Sequence, residues 1–280
     1  MSESGEYKVM VNKLAFAAIN EQKTKRRWRT FFIILTFIYF TPMFIVAMQA
    51  ATNDWMFTEE KSTSHIAKVE LSGMIMSGTP GSAENVIEGL KKAFSSKGAV
   101  AVVLEINSPG GSPVQSSYIY DELIRLKDAN DDKPLYVVVE DIAASGGYFV
   151  ASAGDQILVN KSSVIGSIGV RLDSFGAVDL LSKLGVERRL MTAGEHKGLM
   201  DPFLPVNTTQ SDNLHALLND SHRHFIESVK AGRGDRLSDN PDLYTGLMWS
   251  GARAKELGLI DDFGNTLSVA DKYDTDNIRN

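Results

Sequence analysis

The sequence predicts an α/β domain of parallel strand–helix–strand units, preceded by one N-terminal transmembrane helix. Three observations point there. Residues 30–53 (TFFIILTFIYFTPMFIVAMQAATN) contain no charged side chain, and about 20 apolar residues cross the hydrocarbon core of a bilayer as helix. Beyond them, short apolar runs alternate with helical segments of roughly 10 to 15 residues, the pattern of parallel units joined by right-handed crossovers. Two of the predicted strands lead into glycine pairs, SPGG and ASGG, and the ends of such strands are where active groups collect.

The elements come in order along the chain. Residues 1–29 carry seven basic side chains against Glu3, Glu6 and Glu21, a net of +4 that leaves −10 for the remainder of a chain whose formal charge is −6. The basic cluster KTKRRWR at 23–29 keeps the N-terminus cytoplasmic by the positive-inside rule and sends the chain beyond Trp55 across the membrane. The expected location is therefore a single pass of the inner or plasma membrane, with the folded domain periplasmic or otherwise extracytoplasmic. Pro42 is tolerated in such a helix with a kink. A cleavable signal peptide is the rival, given the small residues at 47–51, but the 29-residue leader and long apolar run match a short h-region poorly.

Residues 54–64 read as a linker, 65–275 as the folded domain and 276–280 as a tail. IAKVELSG (66–73) alternates as a strand and AENVIEGLKKAFSS (83–96) has helical spacing. AVAVVLEIN (99–107) is apolar throughout, as a strand buried on both faces would be, and ends abruptly in SPGGSP. A helix over 114–127 and the strand PLYVVVE (134–140) lead to Ser145. Residues 211–230 form an amphipathic helix, with Gly232 expected to close it.

Composition narrows the chemistry. There is no cysteine, which excludes disulfides, thiol catalysis and zinc-thiolate sites. An acidic exported domain argues against nucleic acid as a partner. In DIAASGGYFVASAG (141–154) the hydroxyl of Ser145 stands among Ala143, Ala144, Gly146 and Gly147. At a strand-to-helix turn the next amide, here Gly146, points where an oxyanion forms. Gly110 and Gly111 allow a second amide to approach a substrate closely. Serine needs a base. His215, His222 and His224 lie on the polar part of a helix and read as solvated. His196 and Lys197 stand side by side in TAGEHKGLMDPFLP (192–205), and residue chemistry alone leaves both open, because a lysine serves as base once its pKa is lowered.

NSPGG (107–111), AASGGY (143–148), VIGSIGV (164–170), AGEHKGLMDPF (193–203) and WSGARAKELGLIDDFG (249–264) occur in the order and spacing of the signal peptide peptidase A family. These are membrane-anchored Ser/Lys peptidases that include protease IV and SohB-like proteins. The chain resembles the short, single-domain form over residues 66–268. The resemblance implies Ser145 as nucleophile, Lys197 as general base and Ser167 as the hydroxyl that orients the lysine. It implies Gly111 and Gly146 as oxyanion-hole amides, with Asp201 and Pro202 in supporting roles.

It further implies the fold shared by the Clp proteolytic subunit and crotonases, built from repeated ββα and βαβ units. The expected function is a serine endopeptidase acting on cleaved signal peptides or other membrane-associated polypeptides, as a homo-oligomeric ring, with no metal or organic cofactor. A catalytically silent scaffold that binds peptides or membrane proteins is the alternative. A crotonase-like acyl-CoA enzyme is disfavoured by export. A Clp-type triad is disfavoured because no histidine lies between Gly146 and Glu195.

Overall fold

The computed structural model describes residues 22–23, 25–45, 47–48, 64–275 and 277–280. These fall into two units, Met1–Lys61 and Ser62–Asn280. In the first, helix α1 (Lys25–Ile45) has a mean hydropathy of 1.5 and no buried residue over its most apolar window. Its 21 residues span about 31 Å, close to the ~30 Å hydrocarbon thickness. Thr30 and Thr36 donate their hydroxyls to the carbonyls of Arg26 and Phe32, so their polar groups are met within the helix. The helix starts earlier than residue 30, inside the basic cluster. The leader 1–21, residues 49–53 of the expected span and the linker up to residue 63 lie outside the described residues.

The second unit runs β1 (His65–Ser72), α2 (Ala83–Ser95), β2 (Ala99–Ser108), α3 (Pro113–Asp128), β3 (Leu135–Ala144), α4 (Gly146–Ala151), β4 (Gln156–Val159), β5 (Val164–Gly166), α5 (Val178–Lys183), α6 (Thr208–Arg233), β6 (Met248–Ser250), α7 (Gly251–Glu256), β7 (Asp262–Phe263), α8 (Thr266–Lys272) and β8 (Ile278–Arg279). Strands pair in the order β6-β5-β3-β2-β1-β8, while β4 pairs β3 and β7. Among the described residues only β5 with β6 is antiparallel. The result is a mixed, mainly parallel α/β sheet.

Alternation along the strands divides the core. Val69, Leu71, Leu104, Ile106, Val137 and Val139 face the larger cluster, where they meet α2, α3, α4 and α6. Ile66, Ala101, Val103, Tyr136 and Val138 face a smaller cluster that receives Val269 and Ala270 of α8. Local signals start the helices: Ser82, Ser112, Asn207, Ser250 and Asn265 each accept a first-turn N–H from an extended backbone, and Pro113 opens α3.

Two expectations change. Gly232 does not end α6. A Cβ there would lie 1.9 Å from the Ser152 carbonyl oxygen, so the glycine serves close packing, and the helix closes on Gly234 at φ 56°. Within the expected tail 276–280, Ile278–Arg279 form β8, whose Ile278 pairs with Ile66 and packs on the smaller cluster.

β3 aims the site. Its first half, Tyr136–Val139, pairs with β4, and its end, Ile142–Ala144, pairs with β5. Opposite β2 the register slips, so that Ile106 faces Val139 but Ser108 faces Ala143. This irregularity bends the strand end just before Ser145.

Candidate active site

Ser145 occupies the N-cap position of α4 at φ 51° and ψ −123°, a region that costs a non-glycine residue about 1–3 kcal/mol. A serine there would normally turn its hydroxyl onto the first-turn amides. Ser145 makes no such bond. The backbone is instead held from outside, with Ser145 N donating to Gly166 O at 2.8 Å and Phe149 N to Ser145 O at 2.9 Å. The strained turn leaves the half-buried hydroxyl without a hydrogen-bond partner among the described residues.

The first glycine pair packs directly on this turn. A Cβ on Gly110 would lie 2.7 Å from Gly146 N and 2.8 Å from Ser145 Cβ. Gly111 bridges Ile75 in parallel fashion, with Ile75 N on Gly110 O at 3.0 Å and Ser112 N on Ile75 O at 2.8 Å, so the ladder leaves its own N–H unused. A Cβ on Gly146 would meet Ser116 Oγ at 2.4 Å and Gly111 N at 3.3 Å. The amides of Gly111 and Gly146 are thus neighbours beside Ser145, and neither N–H has an acceptor among the described residues. Ser108 stiffens the approach, donating to Gly73 O at 2.6 Å and accepting from Gly110 N at 3.1 Å.

Ser167 lies next to Ser145 by register, because Ala144 pairs with Gly166 and each serine is the following residue. It too has positive φ, 52°, and is fixed by Ser167 N on Leu247 O at 2.8 Å. His222, expected to be solvated, instead donates Nε2–H to Ile168 O at 3.2 Å. His224 is 3.2 Å from Ser117 Oγ and packs against the Phe149 ring. Neither has a signal in the sequence, since both contacts come from α6 crossing segments more than 50 residues away.

Lys197 and His196 lie on the segment between α5 and α6. Both are exposed, on successive turns after Met191. Lys197 lines a shallow cavity of about 310 Å³ with Arg188, Leu190 and residues 198–203. Neither side chain has a hydrogen bond to Ser145 or Ser167 among the described residues. The structure therefore brings together Ser145, Gly146, Gly111 and Ser167 within one chain, and leaves Lys197 on a separate loop. Among the described residues no group of three or more His, Asp or Glu side chains is arranged to hold a metal ion.

An unpartnered serine beside two free amides suits acyl transfer. A protein of Brucella melitensis named Na(+)/H(+) antiporter NhaA is 47% identical over 221 residues, covering 77% of this chain and 30% of that protein. A Synechocystis protein provisionally named a protease is 31% identical over 210 residues, 75% of this chain and 73% of the relative. Protease 4 of Haemophilus influenzae is 28% identical over 211 residues, 74% of this chain and 34% of the relative. The chain thus spans about a third of the length of the antiporter and of protease 4. The model of peptidase family S49 matches residues 127–277, a stretch that contains Ser145, Gly146, Ser167 and Lys197: the chain belongs to peptidase family S49.

Proposed function

We propose that this peptidase is a membrane-anchored Ser/Lys endopeptidase with a Clp/crotonase-type fold. Ser145 Oγ attacks the scissile carbonyl carbon while the neutral Lys197 amine takes its proton. The oxyanion is held by the N–H groups of Gly111 and Gly146. Lys197 then protonates the departing amine, and water hydrolyses the Ser145 ester by the reverse proton path. Ser167 donates to the lysine nitrogen and favours its neutral form. The observation that carries the proposal is the uncapped, positive-φ Ser145 beside two unpaired amides.

The lysine reaches Ser145 through assembly. The segment between β5 and α6 exposes Phe175 (71%), Leu184 (66%) and Met191 (96%), apolar surface of the kind that interfaces cover. The active form is a homo-oligomer in which one chain's Lys197 serves another chain's Ser145. Helix α1 tethers the enzyme, N-terminus in the cytoplasm, so that substrates are cleaved signal peptides and other membrane-associated polypeptides.

Subunit mixing tests this. Ser145→Ala and Lys197→Ala chains should each be inactive on peptide substrates, and co-assembled they should recover a measurable share of wild-type turnover. No recovery, with an active wild type, refutes completion between chains. Turnover by Ser145→Ala alone refutes the nucleophile and favours a silent scaffold with activity from another source.

A further inference from the structure

We propose that Asp201 and Arg188 form a clamp that holds the Lys197 turn in register, which makes Asp201 a positioning residue for the lysine amine. The inference rests on Lys197 being the general base of the proposed function. Between residues 190 and 206 the chain is held mostly by short-range backbone bonds: Lys197 N to Gly194 O, Leu199 N to His196 O, Asp201 N to Gly198 O and Leu204 N to Asp201 O, at 3.1–3.3 Å. Such bonds tie turns to themselves and fix nothing relative to the rest of the domain. Ala177 N on Pro202 O, at 2.7 Å, is one outward link. The other is the Asp201 carboxylate.

Asp201 is the only side chain between residues 190 and 206 that forms hydrogen bonds among the described residues. Its Oδ2 accepts from Arg188 Nε at 3.1 Å and Nη2 at 2.8 Å, and its Oδ1 accepts from Phe203 N at 3.0 Å. Its side chain is 11% exposed, against 40% for Arg188. Two nitrogens of one planar guanidinium on one carboxylate fix direction as well as distance. The neighbouring Arg189 is taken by Glu187 at 2.9 Å, so it does not compete for Asp201.

The contact is continued by packing. A Cβ on Gly198, next to Lys197, would lie 2.8 Å from Leu190 Cδ2, so residues 188–190 form a rail along which the turn 197–201 is seated. Met200, between them, stands at φ 63°, a conformation that a non-glycine residue keeps only where its surroundings impose it. The Arg188 hydrogen bond, with the Phe203 amide, holds the Asp201 carboxyl below its ordinary range, so the clamp stays charged at every pH where an amine base works.

The test uses the full-length, detergent-solubilised wild type and variants, with peptide turnover followed against pH and melting followed in parallel. Asp201→Asn keeps the shape and removes the charge. Expected are a plateau kcat at least about tenfold lower, since small misplacements of a catalytic group are costly, and an unchanged KM and melting midpoint. The activity limb should also move to higher pH, because an amine freed into water favours its charged form. Asp201→Glu should recover part of the rate, and Asp201→Asn in a Lys197→Ala background should slow residual acylation of Ser145 no further. Wild-type rate and pH limb in Asp201→Asn, with Lys197→Ala dead, overturn the clamp alone. So does a rate loss that comes with a lower melting midpoint and an unmoved limb, which marks a merely structural pair. Wild-type turnover by Lys197→Ala instead overturns the base on which the clamp rests.

Discussion

Replacing Gly110 by alanine puts a methyl group where the site has least room. The new Cβ would lie 2.7 Å from Gly146 N, 2.8 Å from Ala144 O and 2.8 Å from Ser145 Cβ. Each distance is ~0.7 Å or more short of ordinary van der Waals contact. None of these neighbours is the free end of a side chain, so the strain is relieved only by moving the backbone that carries Ser145 and the Gly146 amide. The alanine would also sit at φ 100°, adding about 1–3 kcal/mol of local strain. A displacement approaching 1 Å costs on the order of 10²-fold in rate, and loss of one oxyanion donor costs about 10²–10³-fold. Gly110→Ala should therefore slow fluorophosphonate labelling of Ser145 by about 10²-fold or more while the melting midpoint falls by a few degrees, about 2–4 °C per kcal/mol for a domain of this size. Labelling within about threefold of wild type, in a folded variant, would show that the first glycine pair is a structural turn with no part in oxyanion binding.

Other outcomes separate the remaining roles. Lys197→Ala and Lys197→Arg should both abolish turnover, since arginine stays charged and accepts no proton, while His196→Ala keeps a substantial fraction. Wild-type activity should rise with pH to an alkaline plateau, whereas a histidine base would be mostly neutral by about pH 7. Ser167→Ala should fall between these extremes and move the acidic limb upward, because losing a donor to the neutral amine favours its protonated form; an unmoved limb contradicts that role. In the core, burial pushes the Asp261 carboxyl up, but the hydrogen bond and charge of Arg233, together with the Ile157 amide, more than offset this and hold it low. Its stabilising contribution is thus full above about pH 4 and is lost as pH falls through the depressed value. Arg233→Met should cost about 3 kcal/mol at pH 7, measured by urea titration, because Arg233 is fully buried and only Arg236, at 3.2 Å, remains beside Asp261. At pH 5 the variant's deficit should shrink, as the lone carboxyl protonates more readily.

Much of the fold was legible from residue order. The uninterrupted apolar run of β2, the strand PLYVVVE at the start of β3 and the helical spacing of α2 were legible, because these signals act over a few residues. The two glycine pairs were legible as a place of close approach, although Gly110, not Gly111 alone, makes the tightest contact with Ser145 and Gly146. What stayed hidden depends on distant chain. Gly232 read as a helix stop because its neighbour, the Ser152 carbonyl, is far away in sequence. The pairing of β8 with β1 joins opposite ends of the domain, and the exchange of β4 for β5 along β3 leaves no mark in local pattern. Lys197 was singled out by family resemblance, and its exposed position on one chain had no signal in residue order.

The most direct measurement is mass mapping of the covalently labelled serine. Full-length protein treated briefly with a fluorophosphonate probe should gain one adduct per chain, and digestion should place it on Ser145. The adduct should vanish in Ser145→Ala and form much more slowly in Lys197→Ala. An adduct on another serine, or undiminished labelling of Ser145→Ala, would contradict Ser145 as the proposed nucleophile.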